Sequence, residues 1–477
     1  MAVSVALVAT SAYRAATSSF THDESLSFAI FTWAPDLGST ANNHLLNTWL
    51  MRLCSSLFGN SELSLRSPNI VAHAIYLVST LLLLKRLEQP LIQVVGFVLL
   101  ALNPFVLDFF SLARGYGLAL AFLMASLYLL ARAHEEEPAG RRAIYAFLSI
   151  LGAALALLAN FSFLTYYVPM VLVAAWVVAS DRSYRRFSRD RRVLAEGLLG
   201  AGALFALFPL YKLILLRQAG ELYFGGDTGF FSDTVEGLVN ASAYSNTLSP
   251  SATAAISVVL IGMALAALAV GAWRFGRHAE ASLALVFAAL LAGSAALAFV
   301  ERYLFDALWP IERAAIYYIP LYVVAVLFGA QLLAGLTDRR SRMTGILALP
   351  VLAAALLCWQ LVGHFDPHSS FDWAYDRHDK DAIRVVERNR AKSETRSTVV
   401  RLGDSWQMEP SLNFYRVTRS DTWLAPVTRD PVTEHHYEFV YGFEADVTQL
   451  RDQASASRRT GIRTPWSSAS SARTAIR

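Results

Sequence analysis

Long apolar stretches alternate with short polar ones along most of this chain, and their lengths decide the first reading. A helix needs about 20 mostly apolar residues to cross a bilayer. Windows of that kind run over 2–18, 69–85, 91–110, 114–132, 144–160, 162–180, 194–216, 253–273, 281–300, 314–336 and 343–362. The pattern predicts an all-α polytopic membrane protein with about 11 transmembrane helices over 1–362. Pro104, Pro169, Pro209 and Pro320 fall inside these windows or near their ends, which lipid-embedded helices tolerate when neighbours re-satisfy the backbone. The period changes in the first connection, 19–68. There "SLSFAIFTWA" puts Leu26, Ile30 and Trp33 at helical spacing, and "NNHLLNTWLMRLCSSLF" puts Leu46, Trp49, Leu50, Leu53 and Leu57 on one face. Both stretches read as amphipathic helices lying in a membrane interface. From 363 the chain turns polar, with a helical stretch near 378–390 and strand-like runs "STVVRLG" and "YEFVYGF" (437–443). These predict a small α/β domain over 363–454. The Ser/Arg-rich stretch 455–477 has almost no apolar periodicity and reads as disordered. No repeat of fixed period is present.

Composition strengthens the membrane reading. Of 477 residues, 55% are hydrophobic and only 16% charged, against about 25% charged in soluble domains. A net charge of +4 gives no reason to expect nucleic acid as a partner. Distribution of the charge says more. The loops "KRLEQP" (85–90), "RAHEEEPAGRR" (132–142), "DRSYRRFSRDRR" (181–192), "RFGRHAE" (274–280) and "TDRRSR" (337–342) are basic or mixed and alternate with loops poorer in Lys and Arg. Lys and Arg concentrate in cytoplasmic loops. This predicts a plasma-membrane protein with a cytoplasmic N-terminus, and with the 19–68 loop and the C-terminal domain extracytoplasmic. The N-terminal apolar run lacks the basic region and cleavage site of a signal peptide. Cys54 and Cys358 are too isolated for a disulfide framework or a zinc site.

Candidate chemistry collects in the loops assigned to the outer side. "THDES" places His22, Asp23 and Glu24 in succession. Thr21-x-x-Glu24 fits a capping box, which accounts for Glu24 without any catalytic role. Asp23 is not needed for the cap. In the first helical turn it meets the positive end of the helix dipole, which keeps a carboxylate ionised and able to act as a general base. Arg114 in "FFSLARGYGLAL" and Arg302 and Arg313 in "ERYLFDALWPIERAAIYYIPLY" fall at span ends on the same side. One arginine there is ordinary snorkelling. Several beside a carboxylate suggest a phosphate-binding face. Asn42, Asn43 and His44 either line a sugar pocket or cap the following helix. "ELYFGGDTGFFSD" (221–233) suits either a loop over a cavity or an ordinary loop.

These motifs and their order resemble those of GT-C fold glycosyltransferases, polytopic enzymes that use sugars carried on polyprenyl or dolichyl phosphate. "HDE" after the first span, followed by "NNHLLNTWLMRLCSSLFGNSELSLRSPN", is similar to the opening of that group. The run "LFGNSELSLRSPN" (57–69) resembles the corresponding element in bacterial protein O-mannosyltransferases and aminoarabinose transferases. "ALNPFVLDFFSLARGYGLALAFLMASLYLL" resembles their next hairpin at Ser111, Ala113, Arg114 and Tyr116, with Ser111 standing where Gln or Glu is common. "RAAIYYIPLYVV" resembles a late Arg-containing span. The resemblance implies transfer of a sugar from a polyprenyl-phosphate-linked donor to a hydroxyl or amine of a glycan, lipid or protein. It implies Asp23, with Glu24 beside it, as base, and Arg114 and Arg313 at the leaving phosphate, with inversion at the sugar. Asn43, His44, Tyr116 and Arg302 complete the expected substrate contacts. A divalent metal is compatible with the group, but no metal ligands are assigned and no other cofactor is implied. A transporter or flippase of lipid-linked substrates, and a scaffold with an external binding domain, are the competing classes.

Overall fold

The computed structural model describes residues 1–136, 139–180, 189–244, 248–278, 282–335, 340–391, 399–432 and 437–449. The expected tail at 455–477, most of the basic loop at 181–192 and much of the one at 337–342 lie outside the described residues. In chain order the helices are α1 (Ala2–Thr17), α2 (His22–Ala29), α3 (Leu45–Phe58), α4 (Glu62–Leu84), α5 (Pro90–Ala101) and α6 (Pro104–Asp108). Then come α7 (Gly115–Glu135), α8 (Ala139–Ala159), α9 (Leu164–Ala179), α10 (Arg189–Leu204), α11 (Leu207–Gln218) and α12 (Glu236–Ala243). They are followed by α13 (Pro250–His278), α14 (Leu283–Phe305), α15 (Tyr318–Gly335), α16 (Arg340–His364), α17 (Asp379–Ala391) and α18 (Glu409–Thr418). Two strands, β1 (Leu402–Asp404) and β2 (Phe439–Tyr441), pair in parallel.

Every predicted apolar window is helical. Among the described residues eight helical segments are long and apolar enough to cross a membrane, and α5 and the part of α16 from Ala348 to His364 are shorter apolar helices. The window at 91–110 is divided. A residue before proline is disfavoured in helical conformation, so α5 stops at Ala101. Asn103 then caps α6, its side chain accepting from Phe105 N at 3.1 Å and Val106 N at 3.3 Å.

The chain forms two compact units. The first contains Met1–Ala12, His44–Leu50 and Ser67–Phe365. It is a helical bundle in which α7 packs on α8, α8 on α9, and α13, α14 and α15 on one another. Small residues are buried along it: Ala119 and Ala121 of α7 and Ala146, Ala153 and Ala156 of α8 are fully buried, and such residues let helix backbones approach.

The second unit contains Tyr13–Asn43, Met51–Arg66 and the chain from Asp366 onward. Here α2 packs on α18 and α17 on α18. The contact is aromatic and specific. Phe20 stacks on Phe414 at 4.0 Å, Phe28 meets the same ring edge-on at 5.1 Å, and Phe20 N donates to Tyr415 Oη at 2.8 Å. The strands are shorter than the sequence suggested, in the register Leu402↔Phe439, Gly403↔Val440, Asp404↔Tyr441.

Of the two helices expected in the 19–68 loop, α3 carries its apolar stripe outward: Trp49, Leu53 and Leu57 are about half exposed or more, as an interface-lying helix requires. The other is short. The Ala29 carbonyl receives the N–H groups of Thr32, Trp33 and Ala34, and Pro35 follows. That closes α2 before Ile30 and Trp33, which lie beyond its end. The buried side of α2 includes His22, Glu24, Ser25 and Ser27.

Candidate active site

The second unit holds the "THDES" cluster, and the capping box is formed. Thr21 N donates to Glu24 Oε2 at 2.9 Å, and the Thr21 hydroxyl receives Glu24 N at 3.4 Å. Glu24 also meets Arg66, a residue the motif reading passed over. Arg66 Nε donates to Glu24 Oε1 at 2.7 Å and Nη2 to Oε2 at 2.6 Å, with both side chains fully buried. The other guanidinium hydrogens go to the carbonyls of Ala15, Ser18 and Ser19, and the charge lies 5.2 Å from the Phe20 ring centroid. This is a satisfied buried ion pair of the bidentate kind. Its work is to fix the turn between α1 and α2.

Asp23 is one residue away and differently placed. It is only partly buried, in the first turn of α2. Around it the second unit gathers more acid than the sequence suggested. His22 N donates to Asp376 Oδ2 at 2.7 Å, and the charge of Asp23 acts on Asp376. Asp379 accepts from Tyr441 Oη at 2.8 Å, and Asp404 is buried in β1. Burial, then the charge of Asp379, pushes Asp376 well above the usual carboxylate range, and burial raises Asp379 as well. Burial and the charges of Glu409 and Asp379 push Asp404 up to about 9. Asp376 and Asp404 therefore hold their protons at neutral pH, and the carboxyl that Asp23 acts on, Asp376, is neutral there. Asn43 donates from Nδ2 to the Gly38 carbonyl at 2.8 Å.

The first unit brings His44, Arg114, Tyr116 and Arg313 into one electrostatic neighbourhood. Arg114 is the N-cap residue of α7 and is buried. His44 is buried, lies 5.0 Å from the Tyr116 ring and bonds the Ala159 carbonyl. Burial first, then the charges of Arg114 and Arg313, hold its imidazole well below its ordinary value. At neutral pH His44 is therefore uncharged. Glycines make this spot possible. A Cβ on Gly115 would run into the Ala159 carbonyl and stand 2.9 Å from His44 Cβ, and one on Gly117 would stand 2.5 Å from the Phe109 carbonyl. Asn47 holds the loop before α7 by donating to the Ala113 carbonyl at 2.7 Å, and is itself held by Asn69 at 2.9 Å. Asp108 accepts from Tyr244 Oη at 2.7 Å. Arg313 lies over Phe224, 4.7 Å from its centroid, which ties the aromatic 221–233 loop to this region.

Arg302 is not part of that group. Its Nη1 donates to the Ala307 carbonyl at 3.3 Å and reaches Asp306 at 3.6 Å, at the end of its own helix. Among the described residues no three His, Cys, Asp or Glu side chains come together so as to hold a metal ion.

A multi-pass helical bundle in which two arginines act on one buried histidine at a helix N-terminus is the architecture this geometry defines. Residues 43–210, which include His44, Arg114 and Tyr116, match the family model described as dolichyl-phosphate-mannose-protein mannosyltransferase. The resemblance read from the motifs is thus borne out over that stretch. Among solved structures, ArnT from Cupriavidus metallidurans in the apo state is 12% identical, covering 96% of this chain and 88% of its own, with a TM-score of 0.49. The undecaprenyl-phosphate-bound form of that protein matches at the same identity and coverage with a TM-score of 0.47. The apo oligosaccharyltransferase of Archaeoglobus fulgidus is 13% identical, over 86% of this chain and 63% of its own, with a TM-score of 0.41. A comparison with curated proteins gives no match.

Proposed function

We propose that this protein is a membrane glycosyltransferase that moves a sugar from a polyprenyl-phosphate carrier to an acceptor hydroxyl or amine on the extracytoplasmic face. The observation that carries the reading is the His44–Arg114–Arg313 group, where two guanidinium charges act on one buried neutral imidazole, with His44 and Arg114 inside a stretch matching a family named for a lipid-phosphate-linked sugar donor. Such a cluster of like charge suits an anion. In the reaction the acceptor oxygen or nitrogen attacks the anomeric carbon from the face opposite the phosphate. The bond from that carbon to the phosphate oxygen breaks, and polyprenyl phosphate leaves with the electron pair. Arg114 and Arg313 stabilise the charge that develops there. The neutral His44 adds a hydrogen-bonding group without adding charge. Asp23 takes the acceptor proton. Glu24 is committed to Arg66 and the helix cap, so the base role falls to Asp23 alone. A single carboxylate with no covalent partner favours inversion.

The test is transfer from a radiolabelled polyprenyl-phosphate sugar by purified protein in detergent. Asp23→Asn is expected to lower turnover by about 10²-fold or more with an unchanged melting curve. Full activity in that variant removes Asp23 as the base. Labelling from outside of a thiol introduced near 185 would invert the orientation.

A further inference from the structure

The second unit contains an open cleft of about 460 Å³ that the reading above does not use. It is lined by Asn60 and Glu62 from the segment leading into α4, Lys380 and Arg384 on α17, and Tyr415 and Arg419 at α18. Lys380 and Arg384 are four residues apart and so share one helix face. Three cations therefore face a single carboxylate. Glu62 is neutralised by Lys380 at 2.7 Å and accepts weakly from Tyr415 Oη at 3.4 Å. Among the described residues Arg384 pairs only with Asp381 on its own helix at 3.0 Å, both largely exposed, an interaction worth little in water. Arg419 lies 5.0 Å from the Tyr415 ring centroid and makes no ion pair among the described residues. Two guanidinium groups thus remain able to take an anionic ligand. The volume falls within the range of small-molecule sites, about 300–1,000 Å³. The rim offers amide, hydroxyl and guanidinium groups and little apolar surface, which suits a hydroxyl-rich ligand and not an acyl chain.

We propose that this cleft binds an anionic saccharide unit, one carrying a carboxylate or phosphate, as part of the acceptor. The proposal rests on the glycosyltransferase reading and adds the acceptor's chemical class to it. Arg384 and Arg419 take the anion in bidentate fashion, and Asn60 and the Glu62–Lys380 pair take sugar hydroxyls.

The test is calorimetric binding to the full chain in detergent, without any donor lipid. Three probes are used: a disaccharide containing glucuronic acid, its neutral glucose counterpart, and inorganic phosphate. The acidic disaccharide is expected to bind at least tenfold more tightly than either of the others, and to weaken as salt rises. An Arg384→Glu, Arg419→Glu double variant is expected to lose that binding by tenfold or more, and the single Arg419→Gln to lose a part of it if the double variant fails to fold. Asp23→Asn is expected to bind as the parent does. Equal affinity for the neutral disaccharide, full binding in the folded double variant, or no binding at millimolar probe overturns the proposal. Phosphate binding as tightly as the acidic disaccharide overturns its saccharide part. Intact binding with no sugar transfer from any polyprenyl-phosphate donor would count against the glycosyltransferase reading, not the cleft. Transfer to acceptors with no binding here would count against the cleft alone.

Discussion

Two buried arginines, one in each unit, show opposite ways of keeping a charge inside a protein. Arg66 makes five hydrogen bonds to partners of its own unit, two of them to the carboxylate of Glu24. Arg114 caps α7 beside an imidazole that feels a second guanidinium, Arg313. The first arrangement is internally balanced and has no capacity left for a ligand. In the second, the charges acting on His44 have the same sign, which favours the arrival of an anion. The two arrangements therefore make different predictions for stability and for sugar transfer.

The largest effect should come from the balanced pair. Arg66→Met leaves Glu24 buried without its partner, an expected loss of about 3–5 kcal/mol seen as a lowered melting temperature and faster proteolysis of the second unit. Adding Glu24→Gln should recover a part of it. If Arg66→Met melts like the parent, the pair does not hold the unit. At the His44 group the order reverses. Arg114→Ala should cost about 10²-fold in transfer and little in thermal stability. An equal fall in stability would assign Arg114 to the fold as well.

That contrast also marks what could be read in advance. The helices were legible because apolar windows of spanning length leave little choice of structure, and Arg114 stood out as a charge at the edge of such a window. Arg66 was not. It lies 42 positions from Glu24, in a stretch whose mixed residues look like the polar start of a helix. Asn47 was missed for a similar reason, since only the fold brings it to the Ala113 carbonyl. The buried aspartates were invisible too. A polar stretch reads as a solvated surface, yet Asp376, Asp379 and Asp404 are almost wholly covered.

Those aspartates give the second unit its own pH response. Asp404, pushed up to about 9 by burial and neighbouring charge, holds its proton in the folded chain where the unfolded chain, near 3.9, has lost it. The folded state thus binds more protons between these values. Its stability is fully present below about pH 4 and is lost as pH rises through about 9. Asp376 and Asp379, raised by burial, act in the same direction. His44 in the first unit is lowered, so its contribution runs the other way. It is present above about pH 6.5 and lost as pH falls. Hydrogen exchange should therefore show the second unit loosening from pH 5 to 9, and Asp404→Asn should flatten that slope by about 1 kcal/mol or more over the window. A slope unchanged by Asp404→Asn would mean that the aspartate pair carries the response.

The smallest effect is expected at Arg302, and it separates two arginines named together from the sequence. Arg302 reaches an Asp306 that is 94% exposed, at 3.6 Å, and one carbonyl of its own helix end. Exposed pairs of this kind contribute about 0–1 kcal/mol. Arg302→Ala should change the melting curve by no more than that and leave transfer as it is. Arg313 lies over Phe224 and its charge acts on His44, so Arg313→Ala should lower transfer by about tenfold or more at similar stability, and should move the titration of His44, followed by NMR, toward its ordinary value. Equal losses in the two variants would mean that both arginines serve the loop between α14 and α15 and that the proposed anion contact rests on Arg114 alone.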